Sequence, residues 1–150
     1  MKNLFERSSA EEIKARVQNL SPESERGWGK MSAAQMLAHC SEWMEMVSGL
    51  KTSPRNFVGR IVGSFAKKSV LYSEEPIRRN MPTDKIFLIQ DERNFLKEQQ
   101  RLLDCIDSFS AGGAEGCTKH PHSFFGPMTP DEWAIMGYKH LDHHLRQFGC

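Results

Sequence analysis

The stretch Thr129-Pro130-Asp131-Glu132-Trp133-Ala134-Ile135-Met136-Gly137-Tyr138-Lys139-His140-Leu141-Asp142-His143-His144-Leu145-Arg146-Gln147-Phe148 decides how the chain is read. Its first four residues supply an N-cap, a proline at the first helical position and a glutamate at the third, which together mark a helix start. At about 100° per residue with Trp133 set at zero, Met136, Gly137, Leu141, Leu145 and Phe148 share one face. Asp131, Glu132, Lys139, Asp142 and Arg146 take the other. His140 and His144 bracket Trp133 in the middle of the apolar face, and His143 sits at its edge.

Three further stretches show the same periodicity. Ser32-Ala33-Ala34-Gln35 is a capping-box pattern, and Met36, Cys40, Trp43, Val47 and Leu50 follow it at helical spacing, so a helix is predicted over residues 32–50. Another is predicted over residues 9–20, capped by Ser8 or Ser9, carrying Ile13, Val17 and Leu20, and ended by Ser21-Pro22. A third, over residues 91–109, places Phe95, Gln99, Leu102, Leu103, Ile106 and Phe109 on one side. Strand-type alternation is nearly absent. Four amphipathic helices in a chain of 150 residues predict an all-α single domain over residues 1–150, a four-helix bundle. Residues 51–90 form a long crossover expected to hold short helices around Asn56 to Lys68. A second long connection, residues 110–129, begins with Gly112-Gly113-Ala114-Glu115-Gly116.

Composition narrows the function classes. Apolar residues make up 39% and charged residues 26% of the chain, and mean hydropathy is −0.55, the balance of a globular protein. No apolar run approaches the roughly 18 residues of a spanning helix, and the N-terminus lacks the apolar core of a signal peptide. Twenty basic residues against nineteen acidic ones leave a net charge of +1, which argues against a nucleic-acid partner. Lys67-Lys68 and Arg78-Arg79 read as solvated basic pairs. Cys40, Cys105, Cys117 and Cys150 form no CxxC pair and read as reduced thiols, so a cytoplasmic location is expected.

Two histidines four apart on a buried face are unusual. Buried polar side chains need partners, and adjacent imidazoles do not both charge cheaply. A divalent metal satisfies both, since i,i+4 spacing lets two rings reach one ion. The competing reading is a pair of core histidines bonded to backbone or carboxylates. His39 is the natural third ligand, although alone it reads as a satisfied core histidine. It lies near Trp43 on the second helix, about 10 Å into it, while His140 and His144 lie about 12 and 6 Å before the end of theirs. Antiparallel second and fourth helices bring all three to one level. The crossover then makes the second and third helices parallel, an up-down-down-up order. No HExxH or ExxH motif, Walker A loop, GxGxxG or nucleophile elbow occurs.

The stretches Trp28-Gly29-Lys30-Met31-Ser32-Ala33-Ala34-Gln35-Met36-Leu37-Ala38-His39, Tyr138 to Phe148 and His120-Pro121-His122-Ser123-Phe124-Phe125-Gly126 together resemble the DinB/YfiT-like superfamily of metal-dependent hydrolases, in a branch of unassigned function. That family carries one metal-ligand histidine on its second helix and two, four apart, on its fourth, which match His39, His140 and His144. The usual arginine directly after the last histidine is replaced here by Leu145, with Arg146 following, while Gln147 keeps its spacing. The resemblance implies a metal-dependent hydrolase or a low-molecular-weight thiol transferase acting on a small molecule, a thiol adduct being one class.

Three imidazoles leave an open coordination position for zinc or nickel, with iron or manganese as the other choices. Trp43, His143 and Gln147 are expected to line the pocket. His143, Glu42 or a crossover residue is the expected proton acceptor. The alternative is a non-catalytic bundle that binds metal or a small ligand, with Glu42 closing the fourth position. His120 and His122 are expected to pack their loop, away from the metal. Neither nucleic acid nor membrane is an expected partner, and a homodimer is admitted.

Overall fold

A computed structural model of the chain describes residues 1–81 and 85–150, with the side chain of residue 85 left aside. Five α-helices, α1 (Arg7–Gln18), α2 (Ala33–Val47), α3 (Phe57–Leu71), α4 (Phe95–Gly112) and α5 (Pro130–Gln147), are joined by loops and two short 3-10 segments, Lys85–Phe87 and Gly113–Gly116. Among the described residues there is no strand, only an isolated bridge between His122 and Gly126.

The two capping boxes form as the sequence predicts. Ser32 Oγ accepts from the Gln35 amide and Thr129 Oγ1 from the Glu132 amide, and each N3 side chain returns to the cap's own N–H. The other two starts shift. Helix α4 starts at Phe95 rather than at Asp91: Asn94 caps it by accepting from Lys97 N, while Asp91 pairs with Arg93. Helix α1 begins earlier than Ser9, because Asn3 Oδ1 accepts the amides of Phe5 and Glu6 and turns the chain into the helix there. Among the described residues the crossover holds one α-helix of 15 residues, α3, where shorter pieces were expected, and the short Lys85–Phe87 segment.

Side-chain pairs fix how the long helices run. Tyr138 Oη donates to Glu12 and Arg16 pairs with Asp142, so α1 and α5 ascend together. Lys14 meets Asp107 while Gln99 donates to the Val17 carbonyl, so α1 and α4 run oppositely. Gln35 reaches the Asp91 carbonyl and Arg101 reaches Glu42, so α2 and α4 run the same way. Trp43 lies on Trp133 and His39 on His144, so α2 and α5 run oppositely.

Leu4, Ile13, Met36, Leu102, Phe109 and Trp133 are among the large side chains sealed in the shared core. Each contributes roughly 1.5–3 kcal/mol by leaving water. Gly137 lets α5 approach closely, since a Cβ there would meet Leu4 and Trp43. Helix α3 joins this core only at its C-terminal end, through Leu71 with Ala66 and Val70 beside it, and its N-terminal half lies against the loop around Phe124.

Candidate metal centre

His39 from α2 and His140 and His144 from α5 each offer a ring nitrogen, and the three atoms lie within 4.8 Å of one another. The Nε2 atoms of His39 and His140 are 3.2 Å apart. All three residues are buried. The opposed directions of α2 and α5 create this meeting, because His39 sits midway along α2 and the α5 pair sits on the turns that face it.

The outer nitrogens decide what the inner ones can do. His39 Nδ1 lies 2.9 Å from the Phe87 carbonyl, which only accepts, so the proton is on Nδ1 and the Nε2 lone pair is bare. His144 Nδ1 lies 2.9 Å from Gln147 Oε1, and Gln147 Nε2 donates to the Trp28 carbonyl at 2.6 Å. That second bond orients the amide, so His144 also carries its proton on Nδ1 and aims a bare Nε2 inward. His140 stacks on Trp43 with ring centroids 4.7 Å apart, and its Nδ1 is a buried atom with no hydrogen-bond partner.

Burial pushes all three histidines below the ordinary value of 6.5. The shift is large for His140, where the neighbouring imidazoles add to it, and takes His144 to about 3. The Phe87 carbonyl opposes the shift of His39 and Gln147 opposes that of His144. The rings are therefore neutral near neutral pH, the form that ligates a metal. Three neutral imidazoles, two with their tautomers held so that lone pairs converge, suit zinc, nickel or another borderline divalent ion. Among the described residues no carboxylate or thiolate joins the three in one cluster.

The remaining candidates separate clearly. His143 is half-buried beside the cluster, its ring 5.1 Å from that of His144 and 5.7 Å from Trp28, and its Nδ1 lies 3.1 Å from the Ile77 carbonyl. Gln147, expected to line a pocket, is buried and holds His144 instead. Glu42, expected as proton acceptor or fourth ligand, is corrected. It pairs with Arg101 at 2.8 Å and with Lys51, in a network that includes Glu45 and Glu98 on the α2–α4 side. Burial opposes its ionisation, and those two cations overcome the burial and hold its carboxyl below the usual range.

His122 packs its loop as expected, its Nδ1 accepting the amides of Phe124 and Phe125. It is nearer the cluster than expected, though. Its ring centroid lies 5.4 Å from that of Trp133. The Phe87 carbonyl was missed from sequence, since a backbone oxygen leaves no mark in residue type.

Neither a curated protein nor a solved structure matches this chain. The sequence profile of one family, described as a protein of unknown function, DUF1569, matches residues 3–149. Since the match runs through nearly every residue, including all three converging histidines, the chain belongs to the DUF1569 family.

Proposed function

We propose that this chain is a metal-dependent hydrolase or low-molecular-weight thiol transferase of the DinB/YfiT-like type. It is a single domain in which α1, α2, α4 and α5 form an up-down-down-up bundle, and His39, His140 and His144 hold one divalent ion, zinc or nickel. The observation that carries the reading is the tautomer arrangement. Phe87 and Gln147 fix the outer protons of His39 and His144, which leaves both Nε2 atoms bare on rings that adjoin that of His140. Without a cation, the one N–H of His140 is all that these rings can offer the lone pairs, and its Nε2 lies 3.2 Å from that of His39 while its Nδ1 has no partner.

An ion held by three imidazoles supplies Lewis acidity at an open position, polarising a carbonyl or acidifying a water or thiol brought to it. The chain's own residues do the rest. The Phe87 carbonyl and the Gln147–Trp28 relay hold two rings in place, and Trp43 fixes the plane of the third. Core side chains on both helices exclude water from the inner side. His143 donates through Nδ1 to the Ile77 carbonyl, which leaves its Nε2 as a neutral proton acceptor at the rim. Burial keeps its pKa below the ordinary value, so it is unprotonated at neutral pH. The substrate is a small molecule with an acyl or thiol-linked group, such as a thiol adduct.

The test has two arms. Elemental analysis after zinc or nickel supplementation should find about one ion per chain, and none in a His39, His140, His144 triple alanine variant. Equal metal in both proteins removes the site. The loaded protein is then offered a thioester together with a low-molecular-weight thiol. Release of the free acid or exchange of the thiol, lost in the triple variant, supports catalysis. Metal binding without either supports the non-catalytic bundle.

A further inference from the structure

Helix α3 is turned the wrong way round for a helix that serves only the core. At about 100° per residue, Phe57, Ile61, Phe65, Val58 and Val62 fall within an arc of about 140°. All five face solvent, with Phe57 76% and Phe65 83% exposed. The inward face is made by Gly59 and Gly63 against the backbone of Phe124, and further along by Ala66, Val70 and Leu71 against the core. A Cβ at either glycine would fall well inside contact distance of the Phe124 carbonyl, so the helix cannot roll Phe57, Ile61 and Phe65 inward there. Its N-terminus is anchored to the same loop, with Asn56 N donating to the Ser123 carbonyl and Asn56 Oδ1 accepting from Gly59 N. The result is a contiguous apolar face that water covers at a cost.

Charge says what covers it. Helix α3 contains no acidic residue. Lys67 turns inward to Glu132 and the Pro127 carbonyl, but Arg60 and Lys68 are exposed. Lys68 projects within the apolar arc, about 20° from both Phe57 and Ile61. Two copies meeting α3 to α3 would press that ammonium into an apolar contact with no carboxylate in either helix to pair it. A lipid surface removes the conflict: the ammonium extends past the apolar stripe to a phosphate while the phenyl rings enter the acyl boundary.

We propose that the outward face of α3 docks this protein on an anionic lipid surface. The helix lies flat and does not span: it is about 22 Å long, and no helix among the described residues is long and apolar enough to cross a membrane. The sequence predicts no membrane partner because no run is long enough to span, but a helix lying in the interface needs no such length. The proposal is independent of the metal reading.

The experiment is co-sedimentation of the full chain with vesicles of phosphatidylcholine alone and of phosphatidylcholine mixed with phosphatidylglycerol, with sedimentation velocity on the free protein. The expected result is binding to the mixed vesicles that weakens with salt, and a monomer in solution. The Phe57→Ser, Phe65→Ser double variant should bind about a hundredfold more weakly, and Lys68→Gln about fivefold more weakly. Both phenyl rings lie outside the core, so the melting curve of the double variant should match the wild type and separate docking from folding. Absence of binding to the mixed vesicles overturns the proposal. So does equal binding to both vesicle types, or binding that survives the double substitution. A dimer in solution that the double substitution makes monomeric, without vesicle binding, assigns the face to a second copy and overturns it too.

Discussion

Gln147 stands one turn of α5 beyond His144, and its Oε1 lies 2.9 Å from His144 Nδ1 while its amide nitrogen holds the Trp28 carbonyl. One side chain thus links a candidate ligand to the loop between α1 and α2. The Gln147 carbonyl accepts from Gly27 N as well, so the loop is tied to the end of α5 by two bonds. The tautomer of His144, and with it the direction of its lone pair, depends on a residue that does not reach the metal position.

Gln147→Leu should therefore weaken metal binding by about 10- to 100-fold, the usual effect of losing a ligand's outer hydrogen bond. Helical circular dichroism should be retained. Gln147→Glu keeps an acceptor for His144 but has no N–H for the Trp28 carbonyl, so it should fall between the two. Competition with a chelating dye measures all three, and an unchanged affinity in Gln147→Leu removes the relay.

Chelation should loosen the protein without unfolding it, because the core draws side chains from all five helices and only three side chains would hold the ion. A ligand at a hundredfold excess over Kd stabilises the native state by about 2.7 kcal/mol. For a chain of this length that is a melting shift of about 5 to 10 °C. EDTA should lower the melting temperature by that amount and leave helicity at room temperature nearly unchanged. His39→Ala should melt like the chelated wild type and ignore added metal, whereas His122→Ala should still respond. Complete loss of helicity on chelation would make the ion structural.

Much of this was legible in the sequence because it depends on local periodicity. The boxes at Ser32 and Thr129 set the starts of α2 and α5, and the face of each helix followed from spacing. His39, His140 and His144 were found by face and depth together. What was not legible depends on partners far apart in the chain. Glu42 looked like a free carboxylate because nothing near it in sequence marks Arg101, 59 residues on, as its partner. Phe87 contributes a carbonyl, which any residue could. The N-terminal half of α3 defeats the rule that large apolar residues turn inward, since the approach of the Phe124 backbone admits only glycine at positions 59 and 63, while Leu71 at the other end does turn in.

Stability of the metal-free protein should fall in mild acid. Burial lowers His144 from 6.5 to about 3, and His39, His140 and His143 shift the same way. Between those values the unfolded chain binds protons that the folded one refuses, so stability is full above about pH 6.5 and declines as pH falls toward about 3. The carboxyls of Glu12, Glu42 and Glu132 are held below their ordinary value of 4.5, so their contribution is lost only at lower pH. Urea unfolding of EDTA-treated protein at about pH 7 and about pH 5 isolates the histidines. Equal stability at the two values would mean that these rings are not buried neutral.

The seat of α3 gives the last prediction. Gly63 faces the Phe124 carbonyl so closely that an added methyl group displaces backbone rather than a flexible side chain. In an ordinary exposed helix, glycine to alanine stabilises by up to about 1 kcal/mol through helix propensity. Here the sign should reverse. Overpacking against backbone costs about 1–3 kcal/mol, which exceeds the propensity gain, so Gly63→Ala should be destabilising overall. The strain should be local. Helix α3 and the loop at residues 122–126 share the contact, and Asn56 N and the Ser123 carbonyl lie beside it. Hydrogen exchange should therefore rise at residues 56–63 and 122–126 while the amides of α2 and α5 near the three histidines stay protected, and metal affinity should hold. Gly112→Ala is the control. No atom lies within 4 Å of a Cβ built there, so it should be neutral or mildly stabilising. If Gly63→Ala instead raises the melting temperature as Gly112→Ala does, α3 is not seated on Phe124 and its apolar face is free to turn inward.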